Sequence, residues 1–399
     1  MYYKVLHICE SDVGGAGIAA SRLNHALQKS GIDSRMLVIN KRRTDKSVFK
    51  YLPSIYSRII GHLPIPYKQN KYRRFHRNAI SNYEITTYPE AVYNISNHPL
   101  VKEADIINLH WLGNMLNYRD FFPAIRKPIV WTLHDMNPFL GCAHYMGDVM
   151  RNPDDKFMEE RLRNLKENAY KKCQSITIVD LCPWMQKYSS RSNAFRNRQH
   201  VIIPNSVDTD VFKLRERLIA RKALGLPADT PLIMFCCQDL NNRRKGFDLL
   251  MNALSELKGN YQFLVVGNPE GTEMKDYNHN MHFWGSVSDE LLLSLLYSSA
   301  DLFVIPSRED NLPNTMLESL CCGTPVLSFS NGGMADIITS GINGIIVDEQ
   351  TSEGLIGGIK LFFKEKDNYS RYKISTEARQ RFSPEKQAAK YDKLYQSLL

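Results

Sequence analysis

The run Pro306-Ser307-Arg308-Glu309-Asp310-Asn311-Leu312-Pro313-Asn314-Thr315-Met316-Leu317-Glu318, closed by Cys322-Gly323-Thr324-Pro325-Val326, holds the densest set of residues able to do chemistry. It follows the apolar run Leu302–Ile305, and Pro313 and Gly323 mark where a helix begins and ends. Asp310 then stands at the helix mouth and Glu318 two turns inside it. Ionised carboxylates accept hydrogen bonds and do not donate them. The pair therefore suits a ligand rich in hydroxyl donors, one carboxylate on a sugar and the other on a ribose. The unpaired N–H groups of the first helical turn suit a phosphate lying between the two.

Other groups have the same chemical bias. Arg243-Arg244-Lys245-Gly246 follows the apolar run Leu232–Cys236 and precedes a helical pattern with Phe247, Leu250, Leu254 and Leu257 on its apolar face. A lysine at that point, on the carboxyl side of a parallel strand, can neutralise a diphosphate; the plainer alternative is a solvated basic face. Gly14-Gly15-Ala16-Gly17 lies between Val5–Ile8 and a helix expected from Ile18 to Ser30. It either presents N–H groups to a phosphate or makes a tight turn for packing, and its spacing does not fit a dinucleotide fingerprint. His134-Asp135 follows Ile129–Leu133, and His110-Trp111 follows Ile106–Leu109. Strand ends of this kind face ligands in open α/β sheets, although a lone histidine there is as readily structural. Asp208-Thr209-Asp210 has the spacing of a metal–nucleotide site but follows a domain break, and reads as connector. Cys142 and His144 are two metal-ligand types without a second pair, so no metal site is expected.

The elements that must position these residues are short continuous apolar runs alternating with helical stretches. Strands are expected at Val5–Ile8, Ile106–Leu109, Ile129–Leu133, Ile176–Val179 and Val201–Ile203. A second set is expected at Leu232–Cys236, Phe263–Val266, His282–Trp284, Leu302–Ile305, Val326–Phe329 and Ile345–Val347. Unbroken apolar runs mark strands buried on both faces, hence parallel sheets. The chain reads as two consecutive α/β domains, residues 1–204 and 205–383, with a helix over 384–399 packing back on the first. A length of 399 residues exceeds one ordinary core, and 43% hydrophobic with 23% charged residues excludes a disordered chain.

The net charge of +9 suits anionic partners. No nucleic-acid module accompanies it, so nucleic acid is not expected. Residues 51–83 contain no acidic residue and interleave basic with aromatic side chains, which fits either an anionic membrane surface or a solvated loop. The eight cysteines include the vicinal pairs Cys236–Cys237 and Cys321–Cys322, which points to free thiols and a reducing compartment. Val5–Ile8 is too short for a signal peptide and is followed by Glu10 and Asp12, and no run approaches the ~20 apolar residues of a membrane span. The expected location is the cytoplasm, or the inner face of the cell membrane.

Taken in order, Gly14–Gly17, Trp131-Thr132-Leu133-His134-Asp135, Ile203-Pro204-Asn205, Arg244-Lys245-Gly246, Gly285-Ser286-Val287 and Asp310 to Glu318 resemble the family 4 retaining glycosyltransferases. Within them, the chain is similar to the branch of bacterial colanic-acid, capsule and O-antigen clusters. The resemblance implies the GT-B fold: two facing Rossmann-like domains with parallel sheets and an interdomain cleft. It implies transfer of a hexose-type sugar from a UDP- or GDP-sugar to a glycan or polyprenyl-linked glycan acceptor, with no cofactor and no metal.

The roles it implies are these. Glu318 would bind the donor ribose. Asp310 would hold the sugar where the family has Glu, with Glu309 adjacent and competing for that part. Backbone N–H groups of Asn311, Leu312 and Asn314 would line the sugar and phosphate. Lys245, helped by Arg244, would bind the diphosphate, because Asp239 replaces a second family cation. Gly15, Ala16, Gly17 and Val287 would flank the donor. His134, with Asp310 and Lys245, would form the reacting centre, and His110, Trp111 and Asp135 the acceptor side. The rival readings are a non-catalytic sugar-nucleotide-binding scaffold and a nucleotide-sugar epimerase on the same fold.

Overall fold

The computed structural model describes residues 3–52, 83–91, 93–269 and 280–399. The basic and aromatic segment singled out above therefore lies, from 53 to 82, outside the described residues. The chain forms two compact units, Met1–Pro204 with Gln387–Leu399, and Asn205–Lys386.

In the first unit the described strands are β1 (Lys4–Ile8), β2 (Asp33–Val38), β3 (Val48–Lys50), β4 (Ile106–Leu109), β5 (Ile129–Leu133), β6 (Ile176–Asp180) and β7 (Gln199–Ile202). They lie in the order β3-β2-β1-β4-β5-β6-β7, and each neighbouring pair is parallel. The chain winds outward from β1 to β3, then returns to place β4 on the other side of β1. That reversal is a topological switch point, where the loops after two adjacent strands diverge and leave room for a ligand. Two of these strands, β2 and β3, were not expected from the sequence. β2 opens with Asp-Ser-Arg, and β3 is a three-residue edge with Phe49 and Lys50 exposed.

β5 is buried along its whole length. Side chains alternate across a strand, so Trp131 and Thr132 face opposite sides of the sheet. Trp131 stacks on Phe122 at 5.6 Å and meets Tyr170 edge-on at 5.5 Å. Burial of each such aromatic is worth roughly 4–6 kcal/mol at about 25 cal/mol per Å². Thr132 Oγ1 lies 2.8 Å from the Tyr391 hydroxyl, and Asn108 Nδ2 donates to the Tyr395 hydroxyl at 2.7 Å. Both tyrosines belong to the helix Pro384–Gln396, which satisfies the polar atoms inside the sheet.

The helix after β1 runs Gly14–Lys29 and so starts earlier than Ile18. The glycines form its first turn. A Cβ on Gly17 would lie 2.5 Å from the Ser11 carbonyl oxygen, so close packing on the preceding loop demands glycine there.

In the second unit the described strands are β8 (Leu232–Asp239), β9 (Gln262–Asn268), β10 (Met281–Phe283), β11 (Leu302–Ile305), β12 (Val326–Phe329) and β13 (Gly344–Val347). Their order is β10-β9-β8-β11-β12-β13, again with parallel neighbours. The switch point falls between β8 and β11. Asp208 accepts from the N–H groups of Asp210 and Val211 at 3.0 and 3.3 Å, which makes Asp208–Asp210 a turn.

Candidate active site

Because β8 and β11 are neighbours at the switch point, the turn after one meets the loop after the other. The 3₁₀ turn Arg243–Lys245 follows β8, and Ser307–Asp310 follows β11. Lys245 Nζ donates to Asp310 Oδ2 at 2.6 Å, and Arg244 Nη1 lies 3.4 Å from Asp310 Oδ1. Arg244 Nη1 also donates to the Glu309 carbonyl at 2.9 Å, and its own carbonyl accepts from Arg308 N–H at 2.7 Å. Gly246 makes this approach possible: its φ is +71°, and a Cβ there would lie 1.9 Å from the Pro306 oxygen. Burial pushes the Asp310 carboxyl up, but Lys245 and Arg244 outweigh it and hold the group below the usual carboxylate range. Two cations face one carboxylate, so this cluster of three groups carries one positive charge beyond what Asp310 compensates, which suits a diphosphate.

The helix Asn314–Cys321 begins directly behind this cluster, capped by Pro313 without a side-chain hydrogen bond. Asn205 Nδ2 donates to Asn314 Oδ1 at 3.0 Å and fixes its first residue. Glu318 is buried within this helix, and the Tyr297 hydroxyl donates to its Oε2 at 3.4 Å. Burial, then Cys237 and Glu318, push the Cys236 thiol up to about 12, while Lys245 pulls it back. Glu318 and Lys245 thus both act on one thiol of β8. Asn311 and Leu312 are buried. Val287 is half-buried in the loop after β10, a loop tied to the end of β9 where Gly267 N–H meets the Gly285 carbonyl at 2.9 Å.

The remaining singled-out residues belong to the first unit. Gly15 is exposed, Ala16 half-buried and Gly17 buried, all in the first turn of the helix Gly14–Lys29. His134 follows β5 and is half-exposed; His110 follows β4 and is buried. Their rings meet, His110 Nδ1 to His134 Nε2, at 3.0 Å. Burial lowers His134 to about 4 and His110 well below its usual value, so both are neutral near pH 7. A pocket is lined by His110, Trp111, Gly113, His134, Asp135 and His144, among others.

Asp135 is taken up by protein partners. Its Oδ2 accepts from Trp111 Nε1 at 2.7 Å and lies 2.6 Å from His144 Nδ1, and its Oδ1 accepts from Asn137 N–H at 2.9 Å. The arrangement makes Asp135 a clamp that orients Trp111 and His144. His144 Nε2 bonds the Thr87 hydroxyl at 2.8 Å, and the Cys142 thiol donates to Glu159 at 2.9 Å, so each of these two candidate metal ligands has another partner.

Residues 230–364, which hold Lys245, Asp310 and Glu318, match the family model described as glycosyl transferases group 1. The chain is 25% identical over 357 residues to a D-inositol 3-phosphate glycosyltransferase of Xylanimonas cellulosilytica, covering 84% of this chain and 80% of that one. The enzyme of the same name from Mycolicibacterium smegmatis is 28% identical over 261 residues, 61% of this chain and 56% of the relative. This chain thus spans little more than half the length of that second relative. The protein is a glycosyltransferase.

Its architecture agrees with solved structures. Sucrose-phosphate synthase from Thermosynechococcus elongatus superposes with a TM-score of 0.69 at 18% identity, over 99% of each chain. Anabaena Alr3699/HepE in complex with UDP-glucose gives 0.69 at 16% identity, over 100% of each. The fold is GT-B, with one parallel sheet in each Rossmann-like unit.

Several residues that build the glycosyltransferase's site escaped the sequence reading. Gly332 has φ +104°, a Cβ there would lie 2.2 Å from the Asp310 carbonyl oxygen, and Gly333 N–H donates to that oxygen at 3.1 Å. The signal was the Asn331-Gly332-Gly333 turn after β12. Arg308 holds Asp248 through two hydrogen bonds of 2.8 and 2.6 Å, which ties the loop after β11 to the helix Phe247–Glu256. His7, inside the apolar run of β1, bonds His110 at 2.9 Å.

Proposed function

We propose that this glycosyltransferase moves a hexose-type sugar, with retention, from a UDP- or GDP-sugar to a glycan or polyprenyl-linked glycan in bacterial surface polysaccharide assembly, acting in the cytoplasm without a metal ion. The observation that carries the reading is the cluster of Lys245 and Arg244 around Asp310 at the β8/β11 switch point, with Glu318 behind it. The two cations take the charge that develops on the leaving diphosphate, assisted by the first-turn N–H groups of the helix Asn314–Cys321. Asp310 and Glu318 accept from sugar and ribose hydroxyls. The bond between the anomeric carbon and the diphosphate oxygen breaks, the acceptor oxygen bonds that carbon, and the acceptor's proton passes to the departing phosphate oxygen. His134, neutral, serves the reacting sugar through a hydrogen bond. The solved relatives include a lipopolysaccharide glycosyltransferase, WaaG, which supports the surface-polysaccharide part of the reading.

A thermal-shift screen with UDP- and GDP-sugars, with and without EDTA, tests it. One nucleotide class should raise the melting temperature, following RT ln(1 + [L]/Kd), and EDTA should leave that rise unchanged. Stabilisation that requires a divalent ion, or a Glu318→Ala enzyme that transfers sugar at the unmodified rate, defeats the proposal.

A further inference from the structure

A hydrogen-bond chain runs through the first unit from the pocket to the far side of β2. His134 Nε2 lies 3.0 Å from His110 Nδ1, His110 Nε2 lies 2.9 Å from His7 Nδ1, and His7 Nε2 lies 3.1 Å from Ser34 Oγ. Ser34 Oγ donates to Asn24 Oδ1 at 2.7 Å, Asn24 Nδ2 to Ser47 Oγ at 2.8 Å, and Ser47 Oγ to Asp45 Oδ1 at 2.8 Å. His7, His110, Ser34 and Asn24 are buried, whereas His134 and Asp45 at the two ends reach solvent.

The direction of every link follows from the Asp45 end. Burial works against ionising Asp45, but the Ser47 backbone N–H and hydroxyl, with His25 at 2.6 Å, overcome it and hold the carboxyl below its usual range. An ionised carboxylate only accepts, so the single hydroxyl proton of Ser47 points to Asp45. Ser47 Oγ then accepts from the Asn24 amide, which turns Asn24 Oδ1 toward Ser34. Ser34 must donate to that oxygen and therefore accepts from His7 Nε2–H. A neutral imidazole has one N–H and one bare nitrogen. His7 Nδ1 accordingly accepts from His110 Nε2–H, and His110 Nδ1 accepts from His134 Nε2–H. Burial depresses His7 to about 3 and His134 to about 4, which keeps the rings neutral, as this logic requires. Among the described residues, His134 Nδ1 has no hydrogen-bond partner.

We propose that Asp45, Ser47, Asn24, Ser34, His7 and His110 form a positioning chain that fixes His134 as its Nε2–H tautomer and presents a bare Nδ1 to accept a hydrogen bond from a sugar hydroxyl. The proposal rests on His134 serving the reacting sugar, as argued above. The opposite tautomer would carry its proton on Nδ1 and could only donate to the hydroxyl oxygen, which reverses the contact and frees the hydroxyl proton for another acceptor.

The test uses the full chain labelled with ¹⁵N-histidine, with the His134 signals assigned through His134→Gln. Long-range ¹H–¹⁵N spectra should show the His134 proton on Nε2 and none on Nδ1. Ser34→Ala cuts the chain. Asp45→Asn, at the half-exposed end, replaces the obligate acceptor with an amide able to donate to Ser47. In both variants His134 should become a mixture of tautomers. Sugar-transfer kcat should fall about tenfold, as loss of an outer partner of a functional histidine commonly costs, with the donor KM changed by less than about threefold. A proton on Nδ1 in the unmodified enzyme, or a tautomer unmoved by both variants, overturns the chain. A tautomer that responds while His134→Ala transfers sugar normally overturns instead the use of His134 in the reaction, and with it the role assigned to the chain. Donor-induced thermal stabilisation, read in the same samples, reports separately on the proposed donor site.

Discussion

Replacing Lys245 with methionine keeps the aliphatic stem and deletes one charge at the mouth of the second unit. Lys245 Nζ sits 2.6 Å from Asp310, and Arg244 sits 3.4 Å away on the other carboxylate oxygen. With two cations on one carboxylate the cluster carries a net positive charge; with methionine it carries none. A unit charge about 4 Å from a phosphate is worth roughly 4 kcal/mol at an effective dielectric of about 20. The Lys245 side chain is 26% exposed and shares its charge with Asp310, so about half of that, ~2 kcal/mol, should reach binding. That is a rise of about 30-fold in the Kd for the nucleotide sugar. Titration calorimetry with the stabilising UDP- or GDP-sugar measures it, and the variant's affinity should depend less on salt. Lys258→Met is the comparison. It removes the same net charge from an exposed residue just past the helix Phe247–Glu256 and should leave Kd unchanged. A Lys245→Met enzyme within threefold of the unmodified Kd, or indistinguishable from Lys258→Met, refutes the assignment of the diphosphate to this cluster.

Three further outcomes follow from the same geometry. Glu159 accepts from the N–H groups of Gly141, Cys142 and Ala143 at 2.7, 2.9 and 2.9 Å. Glu159→Ala strands these buried donors at about 3 kcal/mol, which should lower the calorimetric midpoint of the first unit by roughly 6–12 °C; a shift under about 2 °C contradicts this. Gly246→Ala forces a Cβ to within 1.9 Å of the Pro306 oxygen at φ +71°, so the turn carrying Lys245 must move. Donor affinity should fall at least about tenfold, and an unchanged Kd counts against the packing argument. His7 and His134 hold pKa values of about 3 and about 4 against an ordinary 6.5. Between these values the unfolded chain binds more protons than the native one, so stability falls as pH drops from 6.5 toward 4. The slope is up to about 1.4 kcal/mol per pH unit for each histidine, read as a falling urea midpoint; a His134→Gln variant with an unaltered slope opposes it.

The class of fold was legible because β4, β5, β11 and β12 are predominantly apolar runs, as burial on both faces requires. Lys245 and Asp310 could be singled out because each closely follows such a run, and position after a strand end is readable without coordinates. Their contact was not readable, since it depends on β8 lying beside β11 rather than β10. β2 stayed hidden because its inward residues include Ser34, a polar side chain whose partners lie in other elements. The glycines at 14–17 were read as a turn ahead of the helix, whereas they form its first turn, where the close approach of Gly17 to Ser11 demands glycine. The chain from Asp45 to His134 draws on β1, β2, β4 and the first helix. Ser, Asn and Asp carry no signal in one dimension, and only the β1–β2 and β1–β4 pairings bring them into line.

The two units differ in charge in a way that matches the chemistry proposed for them. In the second, the switch point gathers two cations, Lys245 and Arg244, on the Asp310 carboxylate. In the first, the switch point gathers three imidazoles that burial holds neutral; each is hydrogen-bonded to a neutral partner, and the pull of Asp135 on His134 does not offset burial. When a glycosidic bond to a diphosphate breaks, negative charge grows on the phosphate and positive charge on the anomeric carbon. Fixed cations stabilise the first, whereas under the role proposed for His134 an imidazolium there would oppose the second. A carboxylate hydrogen-bonded to His134 would have raised its pKa further and favoured that imidazolium. The chain keeps its single carboxylate, Asp45, six links away, where it dictates the tautomer through hydrogen bonds and leaves the ring uncharged.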